Sequence, residues 1–414
     1  MERVLIVGNG YAGLAAARTL ASKKGISVTM TSAEKCPAYI PHLLPELAAG
    51  KKDAADLSLT RPGEYAEMKI DFRPGDRVVS LSTKNRTARL STGETISYDK
   101  ALVAAGAIPY VPGNLDGLSD RCAKVLLMKR LLDALMLKKF LLQGASRIVI
   151  VGAGRVGMLL AEALKDRGVT VTVVEIGEEI LATMLQADVA ARLHPVLRER
   201  RHLRICTGAR IESIAADAGG AQEVRLSDGT VLPWDVLVIA TGVMPNTLFM
   251  EDGPAEGEGL AVDRRMETSF PGIFAAGDVV RFETVTGKQE AGQLVQNARL
   301  QGEIAARNIA GEKTLCPPSF IGNVVKLDPI IAARIGDIDG TEQADFRIGR
   351  SFARATVEGH TVVGIQFVGD PDDLRGLVPA VLKKFSPEDL RDLFRGRPDM
   401  GLAPLLAARS HQWA

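Results

Sequence analysis

Residues 3–30 read RVLIVGNGYAGLAAARTLASKKGISVTM. The apolar run Val4 to Val7 stops at Gly8-Asn9-Gly10-Tyr11-Ala12-Gly13, and the Ala- and Leu-rich stretch that follows favours helix. After Gly25, ISVTM is rich in β-branched residues and reads as a second strand, so the segment is one βαβ unit of about 30 residues. The same grammar returns at residues 147–175, RIVIVGAGRVGMLLAEALKDRGVTVTVVE, with Gly152-Ala153-Gly154-Arg155-Val156-Gly157 as its turn. A GxGxxG turn needs its first glycine for a tight turn and its second so that backbone can approach a pyrophosphate. The third lets helix and strand pack closely, and the phosphates then sit at the positive helix end. One such motif is weak evidence, but two, each between a strand and a helix, point to two bound dinucleotides.

Each unit is followed by an alternating, hairpin-like stretch, residues 77–99 and 210–235, with Thr92-Gly93 or Asp228-Gly229 before the last strand. Each then enters an apolar strand and a small-residue turn, ALVAAGAIP at 101–109 and VLVIATGVMP at 236–245. The pattern reads as a duplicated module. Between the copies, residues 121–145 carry a helical Leu/Met pattern, read as a partly buried connecting helix rather than a partner or membrane helix. From about Pro317 the chain reads as strands, a hairpin and a helix, a third α+β region whose last segments, PDDLRGLVPAVLKKF and SPEDLRDLFRG, have amphipathic spacing and plausible caps.

Composition narrows the classes. The 414 residues suffice for two to three domains. With 51 Lys plus Arg against 50 Asp plus Glu, the chain lacks the cationic excess of a nucleic-acid binder. No apolar run is long enough to span a bilayer and no signal peptide precedes the first strand, so a cytoplasmic protein with no direct membrane insertion is expected. Cys36, Cys122, Cys206 and Cys316 lie about 85 to 110 residues apart with no CxxC pair, which signals neither a disulfide framework nor a metal site.

At the end of the second strand of such a unit an acid normally holds the adenosine ribose. Glu175 ends VTVVE and no Arg follows it, which favours NAD(H) over its 2′-phosphorylated form. In the first unit the same count lands on Ser32, with Glu34 two residues beyond, and either can supply the ribose contact.

GLAVDRRMETSFPGIFAAGDVVR, residues 259–281, completes a pattern with the two glycine turns and the AAGAIP and ATGVMPN segments. Together these resemble the FAD- and NAD-dependent pyridine nucleotide-disulfide oxidoreductase superfamily over about residues 1–315. The resemblance implies an α/β fold with two Rossmann-like domains. It places a discontinuous FAD domain at 1–115 and 240–315, an inserted NAD domain at 116–239, and an α+β interface domain at 316–414. It places FAD against Gly8, Gly10, Tyr11, Ala12, Gly13, Ala105, Gly106 and Gly277, with Asp278 on the flavin ribityl chain and Ser32 or Glu34 on the ribose. NAD(H) is placed against Gly152, Gly154, Arg155, Val156, Gly157, Glu175 and Gly242. The helix within residues 293–311 is similar to the one whose start faces the flavin ring.

The disulfide-reducing branches carry a CxxxxC pair after the first βαβ unit, because a thiolate must take electrons from flavin. Here that region is CPAYIPHLLP, residues 36–45, with no second cysteine, so that chemistry is excluded. Aligned with the single-cysteine branch, His42 stands at the thiol position and Cys36 falls upstream as a bystander. His42 is either a loop-lining polar residue or a proton donor near flavin. The rubredoxin, ferredoxin and nitrite reductase flavoproteins often hold a Lys–Glu pair by the flavin; the matching residues here are Glu46 and Leu159, so both halves are absent together. The expected function is FAD-dependent NAD(H):acceptor oxidoreduction with an iron–sulfur or other redox partner, in a homo- or hetero-oligomer. The loop YIPHLLPELAAG is further similar to flavoprotein subunits of 2-oxoacid dehydrogenases such as phenylglyoxylate dehydrogenase. A stand-alone NADH oxidase or peroxidase, and a non-catalytic FAD-binding interaction protein, are the competing readings.

Overall fold

The computed structural model describes residues 1–215, 222–290, 294–319, 321–374 and 377–390. The chain forms two compact units, one made of residues 1–42, 53–109 and 243–320, the other of 43–52, 110–242 and 321–414.

In the first unit the apolar run becomes the strand Glu2–Val7, central in a five-stranded parallel sheet. Ile26–Ser32 and then Asp71–Pro74 lie on one side of it, Lys100–Val103 and then Ile273–Ala275 on the other. Its strands are apolar on both faces, Leu5, Ile6 and Leu102 being fully buried, as a parallel sheet covered by helices requires. One face carries the helices Tyr11–Leu20 and Val295–Ile309, which pack on each other. A Cβ at Gly302 would lie 2.1 Å from the Ala12 carbonyl oxygen, so that contact is made backbone to backbone.

The second unit repeats the plan. Its parallel sheet centres on Arg147–Val151, with Thr170–Val174 and Leu203–Cys206 on one side and Val236–Ile239 and Val125–Leu126 on the other. The duplication extends to an ion pair. Arg3 opens the central strand of the first sheet and its guanidinium meets Asp99, just before the returning strand, at 2.8 Å. Arg147 meets Asp235 at 2.5 Å in the second sheet, from the same places. In both copies the aspartate also accepts the arginine's own backbone N–H, which fixes the start of two adjacent strands.

Both hairpin-like stretches are three-stranded antiparallel meanders, Val78–Ser82 with Thr87–Leu90 and Thr95–Ser97, and Ile211–Ala215 with Glu223–Leu226 and Val231–Pro233. Gly93 and Gly229 take positive φ in their second turns, where the sequence placed them.

The connecting helix spans Leu131–Leu142 and buries Asp133, Ala134 and Leu137, leaving Leu132, Leu135 and Leu142 exposed. The short helix Leu44–Ala48 packs on it and on the helix Arg155–Ala163. The C-terminal region of this unit is a five-stranded antiparallel sheet ordered Gly322–Leu327, Ile330–Gly336, Thr361–Gly369, Ser351–Glu358, Glu342–Ile348. The helices Pro371–Leu374 and Leu377–Leu382 follow it. The second half of the predicted segment SPEDLRDLFRG lies outside the described residues, as does the residue that begins the predicted 293–311 helix. Among the described residues no helix is long and apolar enough to cross a membrane.

Candidate functional site: two glycine-turn cradles

In the first unit, Gly8 (φ +113°) and Gly13 are required by packing. A Cβ on Gly8 would sit 2.2 Å from the Ala104 carbonyl oxygen, and one on Gly13 2.0 Å from that of Gly8. Gly10 differs, because nothing lies within 4 Å of where its Cβ would be and its φ is an ordinary −92°. The helix beginning at Tyr11 has no side-chain cap and no acid in its first turn, so its first N–H groups are available to an anion. The residues present therefore fit a dinucleotide pyrophosphate, which needs open space at the middle glycine and donors at the helix start.

The fold gathers the other predicted residues at the carboxyl ends of these strands. Ala105 and Gly106 (φ +65°) form the turn after Lys100–Val103. A Cβ on Gly277 would touch that of Ala12 at 3.3 Å, which sets the AAGD turn beside the helix start, with Asp278 half-buried next to it. The N–H of Gly277 donates to Gln301 Oε1 at 2.9 Å, and Gln301 Nε2 donates to Ser319 Oγ at 3.2 Å. Gln301 is 2% exposed and was missed in the sequence. Its signal was a glutamine one residue before a helix-contact glycine, on a face that is otherwise small and apolar. Ser32 Oγ accepts the Glu34 N–H at 3.2 Å, and Glu34 Oε1 accepts the Tyr39 hydroxyl at 2.8 Å, so both candidate ribose residues already stand in one local turn. Burial raises the Tyr11 phenol above its ordinary value, against the opposing Arg299 charge.

In the second unit, Cβ atoms on Gly152 (φ +102°) and Gly157 would lie 2.5 Å from the Ala240 oxygen and 2.0 Å from the Gly152 oxygen, while Gly154 again faces open space. Glu175 Oε2 accepts the Ala153 N–H at 2.7 Å and its Oε1 the Gly177 N–H at 2.8 Å. The predicted acid is thus locked across the glycine turn. Gly242 takes φ +122° in the turn after Val236–Ile239. Arg155 hydrogen-bonds Asn323 on the Gly322–Leu327 strand, a tie that links the glycine-turn helix to the C-terminal sheet. Val156 is half-buried beside it, and Leu159 and Glu46 are half-buried on helices that pack together.

Burial, reinforced by the nearby Glu34 carboxylate, pushes Cys36 up to about 11, and burial pushes Cys316 to about 11 as well. All four cysteines are free thiols. His42 is exposed in the turn Pro41–Leu43. Among the described residues no His, Cys, Asp and Glu group is arranged to hold a metal ion.

The family model described as pyridine nucleotide-disulphide oxidoreductase matches residues 2–302. The chain belongs to that family. It is accordingly an oxidoreductase that works with NAD(H) and FAD. Among curated relatives it is 30% identical to the NADH-dependent phenylglyoxylate dehydrogenase subunit epsilon of Aromatoleum evansii, over 75% of this chain and 73% of the relative. It is 28% identical to an NADH oxidase of Methanocaldococcus jannaschii over 94% and 93%. Among solved structures, a ferredoxin reductase from Rhodopseudomonas palustris superposes with a TM-score of 0.80 at 26% identity, covering 94% of this chain and 96% of that one.

Proposed function

We propose that this protein is the flavoprotein component of a multi-protein electron-transfer system, exchanging hydride with NAD(H) and passing electrons singly to or from an iron–sulfur partner. The observation that carries this reading is the state of the loop after the first βαβ unit. Cys36 is its only cysteine and is held as a thiol up to about 11, so no thiolate relay stands between flavin and the final acceptor. Electrons therefore leave the flavin directly.

FAD, when bound, supplies the conversion between a hydride pair and single electrons. The Gly8–Gly13 turn would hold its pyrophosphate, Ser32 or Glu34 its ribose, Ala105, Gly106 and Gly277 would line it, and Asp278 would take the ribityl hydroxyls. The Gly152–Gly157 turn, with Arg155 and Val156 at its helix start, Gly242 opposite and Glu175 on the adenosine ribose, would hold NAD(H). We assign FAD to the first unit and NAD(H) to the second on this basis. The similarity to a phenylglyoxylate dehydrogenase subunit, to NADH-rubredoxin oxidoreductase of Clostridium acetobutylicum and to putidaredoxin reductase of Pseudomonas putida supports a redox-protein partner. A cytoplasmic hetero-oligomer is the setting this implies.

A second reading, direct reduction of oxygen with His42 as proton donor, is favoured by the NADH oxidase match, which runs through the C-terminal sheet as well. NADH oxidation followed with and without an iron–sulfur protein separates the two. The component reading predicts slow turnover that the partner accelerates, and oxygen uptake that keeps pace with NADH loss in the isolated chain would overturn it.

A further inference from the structure

Ala153, in the second glycine turn, is held at both of its backbone groups. Its N–H donates to Glu175 Oε2 at 2.7 Å, and its carbonyl oxygen accepts the Leu181 N–H at 3.0 Å. A peptide is planar and trans, so fixing the Ala153 carbonyl also fixes the direction of the Gly154 N–H, at the glycine that faces open space. Leu181 makes its bond from a left-handed backbone, φ +54°, at 1% exposure. A leucine keeps that conformation only where its surroundings over-determine it.

Those surroundings include the C-terminal sheet. The Leu181 carbonyl accepts the N–H groups of Met184 and Leu185, which makes 181–185 a single turn. Arg334 donates to the Thr183 carbonyl oxygen at 3.1 Å, and Gln366 Oε1 accepts the Gln186 N–H at 2.6 Å. Arg354 donates to Gln186 Oε1 at 3.1 Å and to Asp188 Oδ1 at 2.7 Å, and two bonds to Asp345 brace it from behind. In the sheet register Gln366 stands between Arg334 and Arg354, and Arg354 opposite Asp345, so the four form one row across adjacent strands. Gln366 is fully buried, where an apolar side chain would cost less, and its carboxamide oxygen goes to the backbone of residue 186. The row is thus built to grip residues 183–188.

We propose that Gln366 and Arg354 are positioning residues for NAD(H): by gripping residues 183–188 they keep Leu181 on the Ala153 carbonyl and so hold the Gly154 N–H ready for the dinucleotide. This rests on NAD(H) occupying the second cradle, and it is independent of which acceptor receives the electrons. Loosening the grip lowers the fraction of binding-competent cradles, which raises the dissociation constant by the same factor and leaves turnover at saturating NADH intact.

Full-length, FAD-loaded Gln366→Leu, Arg354→Met and Asp345→Ala proteins are titrated with NAD⁺, which leaves oxidised flavin unreacted, and their NADH KM and kcat are measured with ferricyanide as acceptor. Melting of each protein reads stability separately. Gln366→Leu is expected to weaken NAD⁺ about fivefold and Arg354→Met about tenfold, with KM rising in step and kcat within about twofold of wild type. Asp345→Ala removes only the bonds behind Arg354, so it should lower the melting temperature yet bind NAD⁺ within about twofold. Lowered melting with wild-type NAD⁺ affinity in both Gln366→Leu and Arg354→Met would reduce the row to packing and overturn the proposal. Asp345→Ala weakening NAD⁺ as much as Arg354→Met overturns it too. If the buried variants fail to fold, Asp188→Ala breaks the same grip from a side chain that is 59% exposed, and unchanged NAD⁺ affinity there gives the same refutation. Glu175→Ala is the reference: wild-type NAD⁺ affinity in that variant refutes the placement of NAD(H) in this cradle, whereas weakening in Glu175→Ala alone refutes only the role of the row.

Discussion

The two kinds of motif glycine can be told apart by substitution. In the second cradle, an alanine Cβ at Gly157 would stand 2.0 Å from the Gly152 carbonyl oxygen, whereas ordinary contact begins at 3.4 Å. Turn and helix would have to separate by about 1.4 Å, and because the obstacle is backbone no side-chain rotation can relieve it. Overpacking of that kind costs about 1–3 kcal/mol. For a cooperative unit of roughly 200 residues this lowers the melting temperature by about 3–10 °C. Gly154→Ala adds its Cβ to empty space at φ −75°, a conformation any residue adopts, so the unliganded protein should melt within about 1–2 °C of wild type. That same Cβ stands where a pyrophosphate needs to approach backbone, so NADH affinity should fall by about tenfold or more. Differential scanning fluorimetry of the ligand-free proteins and NADH titration by fluorescence read the two effects separately. Gly154→Ala melting as low as Gly157→Ala, or binding NADH like wild type, would refute the reasoning.

Removing the Glu175 carboxylate leaves the Ala153 and Gly177 N–H groups without their acceptor, so Glu175→Ala should weaken NADH by tenfold or more and narrow its preference over NADPH, read from the two dissociation constants. Burial and the Glu34 carboxylate push the Cys36 thiol up to about 11, so at pH 7 it is almost wholly protonated. Alkylation of this residue should be slow at neutral pH and accelerate as pH climbs toward that value, with Cys36→Ser retaining NADH oxidation within about twofold. Gln301→Leu strands the Gly277 N–H in a buried position, which should cost about 1–3 kcal/mol in thermal or denaturant unfolding and shift the bound-flavin absorbance.

Much of the candidate site's backbone geometry was legible in the sequence because its constraints are local. A motif glycine, its strand and its helix are neighbours along the chain, and Gly93 and Gly229 announce their turns by composition alone. Residues joined across long separations were not legible. Gln301 acts on Gly277 and Arg155 on Asn323, and in each case only the fold brings the pair together. The Arg3–Asp99 and Arg147–Asp235 clamps escaped notice for the same reason, although their recurrence in both modules is a signal once the repeats are aligned. Residues 43–52 show a subtler limit. They lie between two segments of the first unit in sequence, yet they pack into the second, because the apolar face of Leu44–Ala48 finds its partners on the helices Leu131–Leu142 and Arg155–Ala163.

The central claim, that electrons leave the flavin without a thiol relay, is tested most directly by counting them. An anaerobic titration of the FAD-loaded protein with NADH should bleach the flavin fully at about one equivalent, since no disulfide stands ready to accept a second pair. An endpoint near two equivalents, with thiols appearing as NADH is consumed, would contradict it.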